Sequence, residues 1–262
     1  MAHLPLFQID AFTSEAFKGN PAAVCFLDGP RPDPWMQSVA IEMNLSETAF
    51  LLEENDGYRL RWFTPGGEVD LCGHATLASA HALFETGKLH PNETAHFYTR
   101  SGILTASLSM GWIELNFPST PVTPVEPPPG LLSALNVSPL YIGKSQFDLF
   151  LELTSEDELI SLKPDFYSLK TISTRGIIVT ASSRNYDFIS RFFAPGLGIN
   201  EDPVTGSAHC ALAPYWEKKL GKNSFSAFQA SKRGGELKVV IDGDRIRISG
   251  QAISVMQAQL LV

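Results

Sequence analysis

The sequence predicts an α+β protein built from two similar halves, and three observations carry that prediction. Each half reads as a series of short strands interrupted by helix. In each half the main helix begins directly after a glycine, Gly73 or Gly206. Two blocks of letters also match: Glu68 to Ala78 (EVDLCGHATLA) lies over Glu201 to Ala211 (EDPVTGSAHCA). Glutamate leads to glycine over the same interval in both blocks, and the glycine is followed by His74 or Ser207 and then by alanine. A match placed at the same point of each half argues for an internal duplication with pseudo-twofold character.

The elements follow in order. Phe7 to Ala11 and Ala22 to Leu27 read as strands. Asp33-Pro34 reads as a helix start, with Asp33 as the N-cap acceptor and proline in the first turn. That helix should run to Met43 and carry Trp35, Val39 and Met43 along one face. Asn44 to Glu47 break it and lead into a strand from Thr48 to Leu52. Asn55-Asp56-Gly57 turns the chain into Tyr58 to Phe63, which Thr64-Pro65-Gly66-Gly67 stops. After Gly73 the period becomes helical: Leu77, Ala80 and Phe84 recur at three- to four-residue spacing, ending near Gly87. His96 to Thr99, Leu104 to Leu108 and Trp112 to Phe117 are three further strands.

Pro118 to Gly130 holds prolines at 118, 121, 124, 127, 128 and 129 and little regular pattern. A stiff stretch of this kind marks a domain boundary, giving domains 1–117 and 118–262. The second half then offers strands near Tyr141, at Leu149 to Leu153, at Gly176 to Ala181 and at Tyr186 to Phe193. A helix from Ser207 to Leu220 follows, then strands at Phe225 to Ala230, Leu237 to Ile241, Arg245 to Ser249 and Ile253 to Leu261.

Of 262 residues, 44% are hydrophobic and 18% charged, the balance of a globular chain, with a formal net charge of −8. An acidic surface argues against nucleic acid or an anionic membrane as partner, and no run approaches the roughly 18 apolar residues that span a bilayer. The N-terminus does not read as a secretory leader. Cys25, Cys72 and Cys210 are an odd, widely spaced set without CxxC, so neither a disulfide framework nor a cysteine-rich zinc site is expected, and the expected compartment is the cytoplasm.

The chemistry centres on the glycines. A helix that starts after glycine presents unpaired N–H groups and the positive end of its dipole, without a side chain in the way. Gly73 and Gly206 could therefore hold a carboxylate or phosphate; each can also be an ordinary turn. GxGxxG and GxxxxGK[ST] are absent, so a nucleotide cofactor has no support, and HExxH and GxSxG are absent as well. His74 is placed to donate a proton or serve as an acid/base, with Asp70 or Glu68 as candidate partner, or else only caps its helix. Ser207 at the matching place caps or binds ligand, and Asp202 is a candidate acceptor that orients substrate. Glu47 sits between a helix end and a strand, near Leu45, Ala49 and Phe50. That partly desolvated setting suits a general acid/base, although Ser46-Glu47-Thr48 reads equally as a hydrogen-bonded turn. His74 and His81 lack a convincing third ligand, so no metal is expected. Cys72 precedes Gly73, but Thr205 holds the equivalent place, which weighs against a two-thiol mechanism and leaves Cys72 as a packing residue.

Asp10-Ala-Phe, Gly19-Asn-Pro-Ala-Ala-Val, Asn44-Leu-Ser-Glu-Thr-Ala-Phe, Arg61-Trp-Phe-Thr-Pro, Glu68 to Ala78, Arg175-Gly, Glu201 to His209 and Ser231-Lys-Arg-Gly-Gly-Glu-Leu together resemble the phenazine-biosynthesis isomerase (PhzF-like) family over essentially the whole chain. The resemblance implies a diaminopimelate-epimerase-like fold, each domain a curved, mostly antiparallel sheet or barrel around a central helix, with the last strand able to return to the first domain. It implies a cofactor-independent active site between the domains. Glu47 would be the catalytic acid/base that moves a proton between carbons, and His74, Asp202 and Ser207 its partners. Gly73 and Gly206 would bind substrate, a small anionic metabolite, and the assembly would be a homodimer. A racemase or epimerase of a small amino acid and a non-enzymatic binding protein are the alternatives.

Overall fold

The computed structural model describes residues 3–261. The chain divides into two compact units, residues 1–116 with 249–262, and residues 117–248.

The first unit runs β1 (Leu4–Ala11), β2 (Asn20–Leu27), α1 (Asp33–Met43), β3 (Glu47–Glu54), β4 (Gly57–Thr64), β5 (Gly67–Val69), α2 (Gly73–Glu85), β6 (Thr94–Thr99), β7 (Gly102–Ser109) and β8 (Trp112–Pro118). Its pairings are mostly antiparallel, with β2–β3 and β4–β6 parallel. The C-terminal strand, Ala252–Leu260, pairs antiparallel with β1. Small residues make α2 a central helix: Ala75, Ala78, Ser79, Ala80 and Ala82 are all buried, so strands approach it from several sides. Burial therefore extends beyond the stripe read from the sequence, with Leu83 wholly buried and Phe84 only half-buried.

Helix α1 starts differently from expectation. Its N-cap is Pro32 without a side-chain cap, and Asp33 is the first helical residue. The Asp33 carboxylate instead accepts from Arg61 Nη1 at 2.7 Å, a stronger charge-assisted partner than a backbone amide. Asn44 closes the helix in the left-handed conformation that asparagine tolerates.

The second unit runs β9 (Thr123–Pro124), α3 (Leu131–Leu135), β10 (Tyr141–Lys144), β11 (Asp148–Glu152), α4 (Glu156–Ser161), α5 (Phe166–Leu169), β12 (Gly176–Ser182), β13 (Phe188–Ala194), β14 (Ile199–Asp202), α6 (Gly206–Leu220), β15 (Ser224–Gln229), β16 (Gly235–Asp242) and β17 (Arg245–Gly250). Its pairings repeat those of the first: β11–β12 and β13–β15 are parallel, while β10–β11, β12–β13, β13–β14 and β15–β16 are antiparallel. Leu149, Leu151, Ile177, Val179, Ile189 and Phe193 belong to its core, against α3, α4 and α5. Pro214 lies inside α6 and has no N–H for the Cys210 carbonyl one turn earlier. That carbonyl accepts from the Thr120 amide at 3.0 Å, so the proline-rich stretch is tied to the helix by the bond the proline left open.

Candidate active site

In the first unit, the start of β3 and the start of α2 bring three groups together. His74 Nε2 lies 3.1 Å from Glu47 Oε2, with side-chain exposures of 7% and 13%. His74 Nδ1 lies 3.5 Å from Cys72 Sγ. Burial works against a charge on His74, but Cys72 and Glu47 beside it outweigh that penalty and hold its pKa well above the ordinary histidine value. The Cys72 thiol is itself pushed up, first by burial and then by the Glu47 charge. Glu47 Oε2 and His74 Nε2 are buried without a well-aligned hydrogen bond among the described residues.

Two readings of the sequence are corrected here. The carboxylate beside His74 is Glu47, not Glu68 or Asp70. Glu68 is held by Arg61 and by Arg100 Nη2 at 2.6 Å, and Asp70 is 75% exposed. Cys72 does more than pack, because its sulfur faces the imidazole.

Glu47, Cys72 and His74 offer ligand atoms that all lie within 4.8 Å of one another. Thiol, imidazole and carboxylate form a donor set that zinc accepts. The ring stands between the other two groups with one nitrogen toward each, and an ion could use only one of those nitrogens. The three groups follow in the order carboxylate, imidazole and thiol, with the imidazole in the middle.

The hairpin before each main helix is clamped alike in both units. Arg61 Nε and Nη2 donate to Glu68 at 2.7 and 2.6 Å. Arg191 Nε and Nη2 donate to Glu201 at 2.7 and 2.9 Å. Each guanidinium also lies over an aromatic ring two residues on, Phe63 at 5.1 Å and Phe193 at 5.0 Å. The turn after each clamp is pinned too, by Ser101 Oγ donating to the Asp70 carbonyl at 2.5 Å and Ser231 Oγ to the Pro203 carbonyl at 2.8 Å.

In the second unit, Thr205 is the N-cap of α6 and Ser207 lies one residue inside the helix, so Ser207 is not the cap. Neither α2 nor α6 has a side-chain cap hydrogen bond, which leaves the amides at Gly73 and Gly206 uncapped by side chains. Asp202 Oδ2 accepts from the Thr205 hydroxyl. Gln229, wholly buried, locks this turn: its Oε1 accepts from the Thr205 amide at 2.8 Å and its Nε2 donates to the Asp202 carbonyl at 2.8 Å. Ser207 Oγ accepts from Arg175 Nη2 at 3.4 Å. Sequence reasoning missed Gln229, which lies 24 positions from Thr205 without a motif of its own. It also left Arg175 without a role.

The strand registers give the counterpart of each group. Thr48 pairs with Phe63 in the first unit and Ile177 with Phe193 in the second. Aligning the two Arg-x-Phe segments therefore sets Glu47 against Gly176, as the helix starts set Cys72 against Thr205 and His74 against Ser207. A Cβ at Gly176 would stand 2.1 Å from Phe192 Cζ, so the phenylalanine ring occupies the space that a side chain there would need.

The two-unit α+β fold is of the diaminopimelate-epimerase-like class. The chain belongs to the phenazine biosynthesis-like protein family, whose model matches residues 9–258. It is 57% identical to an uncharacterized isomerase of Halalkalibacterium halodurans, over all of both chains. It is 46% identical to an uncharacterized isomerase of Pseudomonas aeruginosa, over 98% of each. The crystal structure of a phenazine biosynthesis protein PhzF family member from Enterococcus faecalis superposes with a TM-score of 0.96 at 42% identity, covering all of both chains. This kinship makes the protein an enzyme of isomerase type. No helix among the described residues is long and apolar enough to cross a membrane.

Proposed function

We propose that the protein is an isomerase that moves a proton between carbons of a small, carboxylate-bearing, unsaturated metabolite, using side-chain acid/base groups alone. Glu47 removes the proton from one carbon and returns it to another on the same face. The imidazolium of His74 supplies a hydrogen bond, or a proton, where negative charge develops. An adjacent unsaturated or carbonyl system disperses that charge, since an isolated C–H is too weakly acidic for a carboxylate. Asp202 and Ser207 orient the substrate, and the first-turn amides at Gly73 and Gly206 hold its anionic groups. The proposed assembly is a cytoplasmic homodimer.

One observation carries the reading. Among the described residues the Glu47–His74–Cys72 cluster occurs once, and its counterparts Gly176, Ser207 and Thr205 form no second acid/base cluster. A racemase needs a base on each face of one carbon. A single cluster suits transfer between two carbons.

The test is exchange with solvent. Incubation in D₂O with a panel of unsaturated cyclic acids, hydroxy acids and amino acids, followed by mass and proton NMR, should reveal a substrate that takes up deuterium or shifts its double bond. Glu47→Gln should lose this activity by about 10²-fold or more while keeping its fold, as expected for removal of an acid/base group. A variant that turns over at the wild-type rate would take the role from Glu47. Inversion at a single carbon would replace the isomerase with an epimerase.

A further inference from the structure

We infer that Arg175 is the residue that recognises the substrate's carboxylate; this deepens the proposed function by naming the group through which its substrate is held. Arg175 immediately precedes β12, and Asp148 opens the parallel neighbour β11, opposite Gly176. Arg175 Nε donates to Asp148 Oδ1 at 2.8 Å and Nη2 to Oδ2, a two-point pair with a carboxylate only 2% exposed. The guanidinium lies over the Phe147 ring at 4.9 Å and the Phe192 ring at 5.9 Å. Its plane is thereby fixed by two hydrogen bonds and two aromatic faces.

The fixed head still has donors to give. Nη1 makes no hydrogen bond or ion pair among the described residues, and the side chain is 34% exposed. Nη2 reaches Ser207 Oγ at 3.4 Å, in the first turn of α6. Because that oxygen accepts from Arg175, the hydroxyl proton of Ser207 can be directed elsewhere. An oriented guanidinium, a hydroxyl proton and uncapped helix amides together match a planar carboxylate. Asp148 neutralises the pair, so selection works through directed hydrogen bonds and does not require a broadly positive surface. A protein with a formal charge of −8 can hold an anion in this way.

The duplication gives the arrangement its meaning. The register that sets Glu47 against Gly176 sets Ser46 against Arg175. In the first unit the start of the strand sends a carboxylate to the second residue of the main helix, His74. In the second unit it sends a guanidinium to the second residue of the main helix, Ser207. One copy of the device handles a proton and the other handles an anion.

The experiment compares benzoate with its uncharged isostere benzamide by isothermal titration calorimetry. Wild type should prefer benzoate by about tenfold or more, the discrimination expected when a site is built to pair one charged group. Two variants avoid leaving Asp148 buried and unpaired. Arg175→Lys keeps the charge beside it, and the double variant Asp148→Asn with Arg175→Gln removes both charges. In either folded variant, judged by unchanged Tm, the preference should fall to near one. Absence of a preference in wild type, or its full retention in a folded variant, overturns the assignment. Glu47→Gln should keep the preference intact. Failure of the deuterium test with a surviving preference therefore removes the proton chemistry and leaves the carboxylate site standing.

Discussion

Replacing His209 with Asn isolates a pH dependence that the structure places on one side chain. His209 lies one turn into α6 with no exposed surface, and its Nδ1 is 3.0 Å from the Thr205 carbonyl. Its Nε2 is buried without a hydrogen bond. Burial therefore drives its pKa down from 6.5 to about 4, against a smaller raising effect of the Thr205 carbonyl. Between those values the unfolded chain binds a proton that the folded chain refuses, so stability falls as pH falls through that window. The difference corresponds to about 3 kcal/mol when fully expressed below the folded pKa, most of which is lost by pH 4.5. Asn can still donate to the Thr205 carbonyl but does not titrate, at the cost of a small cavity that is the same at every pH. Urea unfolding of both proteins at pH 7 and pH 4.5 gives the difference directly. Wild type should lose about 2–3 kcal/mol more than the variant between these pH values. Equal losses in the two proteins would refute the assignment, since every other titrating group is common to both.

Three further outcomes follow from named contacts. Gly176→Ala should lower stability by about 1–3 kcal/mol, because its Cβ would meet Phe192 ring atoms at 2.1, 2.7 and 2.8 Å; Phe192→Leu in the same chain should recover part of the loss, read as Tm. Glu201→Ala should cost about 3 kcal/mol in urea unfolding, since Arg191 is 9% exposed and would keep only the Leu159 and Leu162 carbonyls and the Phe193 ring as partners among the described residues; Glu54→Ala, which frees the half-exposed Arg59, should cost under about 1 kcal/mol. His74 should titrate above the ordinary histidine value by ¹⁵N NMR, and Glu47→Gln should lower its pKa. With the folded value above 6.5, the stability that this pair adds is complete below pH 6.5 and is lost as pH rises through the folded pKa, so a midpoint below 6.5 would contradict the site.

What could be read from the letters depended on how local its cause was. The strands around Val24, Trp62 and Val179 and the two main helices follow from short-range periodicity and from glycine and proline punctuation, and they are present. The short helices α3, α4 and α5 were not foreseen, because four to six residues do not complete enough turns to show a period. Asp33 was misread as a cap because a local amide was weighed without a guanidinium from β4, 28 residues on. The contact between Glu47 and His74 spans 27 positions and joins a strand start to a helix start. Their residue types could be singled out, but their partnership could not. Arg175 and Asp148 lie equally far apart and meet only because β11 and β12 are parallel neighbours.

The same device in two copies explains how a duplicated fold loses the symmetry of its chemistry while keeping the symmetry of its frame. The parts that fix the frame are retained in both units: the Arg–Glu clamp, the aromatic under each guanidinium, the serine that pins the turn, and the glycine that opens the helix. The parts proposed to face a ligand have diverged, Glu47 against Gly176, Cys72 against Thr205 and His74 against Ser207. Phe192 closes the space where a second carboxylate would stand, and its ring supports Arg175. A carboxylate at position 176 is therefore barred by packing as well as by residue identity. Restoring a carboxylate at position 176 would require removing the ring that helps hold the guanidinium.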